Sequence, residues 1–169
     1  VVGHDIGERP QEAGGRSRLG DWEAGTVAGK PDGVCLVTLV DRKSRLLAGG
    51  KAASKRSKDA NAVMVASLSG QPLGSVTPDP GKEFAAHAEV TTSLGVEFCF
   101  APPHHPWQRG TNENTNGLLR EHFPKGTGFE DVGDEEVASV YDRLNRRPRK
   151  ILGYRTPYEV HYSTSLQLI

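Results

Sequence analysis

The sequence predicts an α/β fold, with one mixed five-stranded sheet and helices on its faces. Three observations predict it. The first third holds three β-type runs separated by turn signals. Helix-like and strand-like segments alternate after that, the pattern of β-α units. The run Val34 to Val40 (VCLVTLV) is apolar on both faces, as a central strand must be. The 169 residues suit one domain that buries its own core.

The elements follow in order. Residues 1–18 are polar, Gly-rich and without period; they read as a lead-in, and the chain is expected to start inside a larger protein. Gly20 to Lys30 (GDWEAGTVAGK) reads as the first strand, with Trp22, Ala24 and Thr26 on one face. Pro31 to Gly33 is a turn, Val34 to Val40 the second strand, Asp41 to Ser44 a polar hairpin turn, and Arg45 to Gly49 the returning third strand. Ala60, Val63, Met64 and Leu68 give Lys58 to Leu68 a helical spacing closed by Gly70. Leu73 to Thr77 is a short strand, Lys82 to Leu94 a helix ended by Gly95, and Val96 to Phe100 the fifth strand. A Pro-rich loop leads into a helix from about Gln108 to His122. The last helix, Asp134 to Asn145, carries the stripe Val137, Val140, Tyr141 and Leu144.

Composition narrows the function classes. Hydrophobic residues are 36% and charged residues 25%, and no apolar stretch reaches the ~18–20 residues of a membrane span. The N-terminus lacks the apolar segment of a signal peptide. Cys35 and Cys99 each sit in an apolar run and read as buried free thiols, so a reducing cytoplasm is the default expectation. Net charge is zero, from 21 Lys+Arg against 21 Asp+Glu, unlike a dedicated DNA-binding module. The charge is segregated, however: Lys51 to Lys58 holds four bases, Glu130 to Glu136 five acids, and Arg143 to Arg155 six bases. Solvated surface and phosphate contact both remain open for each run.

Two acids stand out by position. Asp79 follows a strand end, where ligands bind in α/β folds. Glu113 opens a helix front (WQRGTNENTNGLLR) too polar for core, and shares a helical face with Asn116, Gly117 and Arg120. Gly117 would admit close approach of a backbone or ligand. Taken singly, Asp79 also suits a turn-forming Asp and Glu113 a solvated helix acid.

Their flanking motifs carry a resemblance. DRKSR (Asp41 to Arg45), GKEF (Gly81 to Phe84), WQRGTNENTNGLLR (Trp107 to Arg120), FPKG (Phe123 to Gly126) and LNRRPRKILGYRTPYEV (Leu144 to Val160) resemble the integrase-type catalytic core of DDE transposases, and more narrowly the insertion-sequence family numbered thirty. ERP (Glu8 to Pro10) and GDWE (Gly20 to Glu23) extend the likeness, so that it runs from about Glu8 to Tyr162. The resemblance implies an RNase H-like fold, with residues 19–162 as the core domain and residues 163–169 as a tail. It implies DNA cleavage and strand transfer, with DNA as partner and a homo-oligomer in a synaptic complex.

By that resemblance three acids hold Mg²⁺ or Mn²⁺, because hard cations take carboxylate oxygen and paired ions assist in-line displacement at phosphorus. The second acid maps onto Asp79 and the third onto Glu113, with 33 residues between them. The first maps onto Gly25, which has no side-chain oxygen, so impaired activity is expected. Glu23, two residues earlier on the same strand face, is the candidate substitute. Asp41 is expected to play a structural role at its turn. Pro78 and Pro80 flank Asp79 where the family tends to have Phe and Asn, so the loop there is expected to be reshaped. Pro103 also departs from the pattern.

Lys82, Trp107, Gln108, Arg109, Asn112, Asn116, Arg120 and Lys125 are the candidate DNA contacts. Trp107 suits a core anchor equally. His104 and His105 have no partner at metal-ligand spacing. The alternative function is a catalytically inactive DNA-binding or assembly domain from a degenerate element. An RNase H-like nuclease acting on RNA is disfavoured by the WQRGTNENTNG block.

Overall fold

The computed structural model describes residues 4–5, 17–30, 33–79, 87–100 and 110–163. The strands are β1 (His4–Asp5), β2 (Asp21–Ala28), β3 (Cys35–Asp41), β4 (Leu47–Ala52), β5 (Ser75–Pro78) and β6 (Glu97–Phe100). The helices are α1 (Ser57–Leu68), α2 (His87–Leu94), α3 (Gly110–His122), α4 (Asp134–Asn145) and α5 (Pro157–Tyr162). The sheet runs β1-β6-β5-β2-β3-β4. β2, β3 and β4 form an antiparallel meander, while β5 and β6 add in parallel beside β2. This is the expected mixed five-stranded sheet. The two-residue β1 joins β6 in parallel at its edge, from within the segment read as lead-in.

Strand alternation builds a separate core on each face. Trp22, Ala24, Val37 and Leu39 pack with Met64 and Leu68 of α1 and Val90 of α2. Val27, Leu36 and Val40 face the other way, against Leu119 of α3 and Val137, Val140, Tyr141 and Leu144 of α4. Every residue of β3 is buried, because helices cover both faces of this central strand. Gly70 (φ +82°) and Gly95 (φ +67°) follow α1 and α2 in the left-handed conformation expected of helix-ending glycines. Cys35 and Cys99 are buried and unbridged. No helix among the described residues is long and apolar enough to cross a membrane.

Three devices close the fold. Asp41 orders the β3–β4 turn: one carboxylate oxygen accepts from the amides of Lys43 and Ser44 (both 2.8 Å), and the other from Gly20 N (2.7 Å). Asn145 binds the edge of β4, accepting from Leu47 N at 2.8 Å and donating to Leu47 O at 2.9 Å, as a neighbouring strand would. The short helix α5 was not among the expected elements. Its signal is Thr156-Pro157-Tyr158-Glu159, a capping box with proline at the first helical position.

Candidate active site

The candidate site lies at the carboxyl end of β5, where that strand leaves the sheet beside β2. Ala24 pairs with Pro78, and the Asp79 amide donates to Ala24 O at 2.8 Å, carrying the ladder one residue further. Asp79 therefore emerges next to Gly25. On the other side of β2, Gly25 is paired with Thr38 of β3. Proline fits at 78 because β5 is only four residues long and the ladder passes on through Asp79.

Helix α3 crosses this spot. Its inward side is Thr111, Asn112, Thr115 and Leu119, while Glu113 is exposed and Asn116 half-buried. Asn112 is 1% exposed and sits on Gly25. Its Nδ2 donates to Thr38 Oγ1 at 2.9 Å, and its Oδ1 accepts from Asn116 Nδ2 at 3.2 Å. A Cβ built on Gly25 would stand 2.3 Å from Asn112 Oδ1. Asn116 Oδ1 is buried and has no hydrogen-bond partner among the described residues. Glu113 follows Asn112 directly, so the helix turn that covers Gly25 also carries Glu113. Asp79 flanks Gly25 from β5.

Glu23 lies on the same face of β2 as Gly25, as expected, and is fully buried. Its Oε2 accepts from Arg42 Nη1 at 2.8 Å and its Oε1 from the Asn112 amide at 3.3 Å. The Asn112 amide is one of the helix-start donors that have no partner within the helix. A buried carboxylate there is favoured by the helix dipole, and the Arg42 charge compensates it. Glu23 thus secures the start of α3. Service as a substitute metal ligand would compete with both contacts for the same carboxylate.

The candidate contacts among the described residues differ in exposure. Asn112, expected to touch DNA, is interior, because its amide finds Thr38 and its side chain fills the space above Gly25. Asn116 is half-buried against Asn112. Arg120 donates to Ala28 O (2.9 Å) and Phe123 O (3.4 Å), tying the far end of α3 to β2. Lys125 is exposed. Gly117 has no atom of the described residues within 4 Å of a built Cβ, so none of them exploits the approach it allows. Lys82, Trp107, Gln108 and Arg109 lie outside the described residues, as do Pro80, Pro103, His104 and His105. The sequence reading missed Arg42 and Thr38. The single polar residue inside VCLVTLV was the available signal for Thr38; nothing local marked Arg42 as the partner of Glu23.

No group of three His, Cys, Asp or Glu among the described residues could hold a metal. Gly25 has no side chain, and the neutral side-chain amide of Asn112 lies where its Cβ would stand. Among the described residues, the donor set does not fit a two-metal centre.

The fold defines the class. Solved retroviral integrase cores share it: the catalytic core domain of the BIV integrase has a TM-score of 0.66, with 85% of this chain and 93% of that one covered. The HTLV-2 integrase core, solved in complex with magnesium, gives 0.62 over 84% and 95%. A chain of the simian T-cell lymphotropic virus intasome, solved in complex with PP2A regulatory subunit B56 gamma, gives 0.69 over 89% of this chain and 56% of that one. Sequence identities are 16%, 18% and 20%, so the likeness is one of fold, the RNase H-like integrase core.

Sequence then supplies the relatives: the homologues of this chain are IS30-family transposases. It is 42% identical to the transposase InsI of IS30A from Escherichia coli K12, over 95% of this chain and 42% of that protein. It is 39% identical to the IS4351 transposase of Bacteroides fragilis, over 92% and 48%. It is 40% identical to the IS1086 transposase of Cupriavidus metallidurans, over 90% and 46%. The chain spans about half the length of these curated relatives. No protein-family profile matches it.

Proposed function

We infer that residues 19–162 are the catalytic core of a DNA transposase, a domain that cleaves and joins DNA strands, and that Gly25 impairs it. One observation carries this reading. Asp79 leaves β5 beside Gly25, and the α3 turn bearing Glu113 lies over the same residue. Both acids thus border Gly25, which is the support for reading the three as one site, and of the three positions only the first, Gly25, has no side-chain oxygen. Asp79 and Glu113 are the retained acids. The DNA substrate, the divalent cation and work in an oligomeric complex with DNA are proposed from the transposase relatives and from the integrase neighbours solved with magnesium and as an intasome. A cytoplasmic location is proposed with them.

The chemistry asks for charge neutralisation at both the attacking and the leaving oxygen. With Gly25 in place and Glu23 held by Arg42, this chain lacks the carboxylate that would support it. No step is assigned to the chain as it stands.

The test is nicking of an insertion-element end in Mn²⁺, comparing the chain, Gly25→Asp, and Gly25→Asp with Asp79→Asn. Cleavage is expected only from Gly25→Asp, in which the Asn112 side chain must swing clear of the new Cβ. Equal cleavage by the unaltered chain refutes the impairment. Cleavage that survives Asp79→Asn refutes the assignment of Asp79.

A further inference from the structure

From Arg143 to Tyr158 the chain carries six Lys or Arg and no Asp or Glu. The structure folds the middle of this stretch into a closed turn. Arg149 and Arg155 form an antiparallel bridge, with Arg149 N donating to Arg155 O at 2.9 Å and Tyr154 N to Arg149 O at 2.8 Å. Lys150–Leu152 make one tight helical turn inside it. The acids at either border are engaged locally. Asp142 accepts from Arg146 and from the Tyr158 hydroxyl, and Glu159 Oε1 accepts from Thr156 N. The turn itself stays basic.

This turn displays two large apolar side chains to solvent. Ile151 is 72% and Tyr154 69% exposed, the highest values among the large hydrophobics of the described residues. Tyr154 also holds φ +64°, a left-handed conformation that bulky residues rarely adopt. Intramolecular packing gives no reason to keep an aromatic there, since the ring is mostly in water. A ring and an aliphatic side chain held outward on a rigid basic turn match the chemistry of a nucleic-acid surface. Cations would meet phosphates, and apolar groups the sugars and base edges between them.

We propose that the Arg149–Arg155 turn is a contact surface for duplex DNA, with Lys150 and Arg155 on phosphates and Tyr154 and Ile151 against the sugars and base edges. This rests on the DNA-processing reading above and adds the surface that does the holding. Net charge near zero would otherwise leave the chain poorly equipped for a polyanion.

Fluorescence anisotropy of the chain with a labelled DNA duplex tests it, at several salt concentrations. Tyr154→Asn is the decisive variant, because asparagine tolerates the left-handed backbone and the fold is retained. It is expected to weaken duplex binding ~10-fold with an unchanged or raised melting temperature, and Ile151→Ser to weaken it in the same sense. Lys150→Ala with Arg155→Ala is expected to flatten the salt dependence by roughly one log–log unit per phosphate lost. If both Tyr154→Asn and Ile151→Ser bind like the parent, the turn is not the contact, and the DNA reading stands without it. A parent chain that binds no duplex at any salt overturns both. Lost self-association in a sizing experiment, with duplex affinity unchanged, assigns the surface to a second copy of the chain and overturns the proposal.

Discussion

The side-chain amide of Asn112 occupies the space that any side chain on residue 25 would need: a Cβ on Gly25 would lie 2.3 Å from Asn112 Oδ1. The two positions are coupled through one small volume between β2 and α3. Asn112 is held there by Thr38 Oγ1 and Asn116 Nδ2.

Substitution at 25 therefore acts through Asn112. Gly25→Ala should destabilise the fold by about 1–3 kcal/mol, because the amide must swing out of its bonds or the helix must shift. Asn112→Ala should cost about 1–2 kcal/mol alone. In the double variant the new methyl meets empty space, so its loss should fall short of the sum of the two singles by ~1 kcal/mol or more. Urea denaturation of the four proteins measures this; strict additivity would mean the amide does not fill the space.

The buried Glu23–Arg42 pair gives a second prediction. Arg42→Met leaves a fully buried carboxylate with the Asn112 backbone amide as its one donor among the described residues, and should cost about 3–5 kcal/mol. Arg42→Met with Glu23→Leu should be much milder, because both desolvated charges leave together. Equal instability of the single and double variants, by chemical denaturation, would show that Arg42 acts by packing alone.

His161 makes stability depend on pH. The ring is 5% exposed, with Nδ1 at 2.8 Å from Ser44 Oγ and Nε2 at 2.8 Å from Gln71 Oε1. Gln71 Oε1 can only accept, so Nε2 carries the proton of the neutral ring and Ser44 donates to Nδ1. Burial holds the imidazole pKa below its ordinary value, while Asp41 opposes the shift. The unfolded chain thus takes up a proton first on acidification. Stability is full above the ordinary imidazole range of about 6.5 and should decline as pH falls below it. Melting temperatures from pH 8 to pH 5 should show the decline in the parent and a flatter profile in His161→Gln. Parallel profiles would sink the assignment.

Asn145 stands in for a missing strand at Leu47. Asn145→Ala unpairs a backbone donor and an acceptor together and should cost about 1–3 kcal/mol. Faster amide exchange at Leu47 should accompany the loss. Unchanged protection there would show that the amide is held by other means.

The sequence alone determined the order and type of the strands and of four helices. Period-2 runs, helical stripes and glycine stops are local, and each commits its own segment before any tertiary contact forms. It also singled out Asp79 and Glu113 as candidate acids, and Gly25 as the position where the family pattern expects a third, through motifs that survive in linear order. The helix α5 was legible in Thr156-Pro157-Tyr158-Glu159 but needs its capping geometry to stand at six residues. Tertiary structure decided the rest. Only the packing of α3 on β2 and β3 turns Asn112 from a surface polar residue into the filler above Gly25. Only the approach of Arg42, 19 positions away, commits Glu23 to the start of α3. Such roles depend on which side chains meet across elements, and strand and helix periodicity fixes faces without fixing partners.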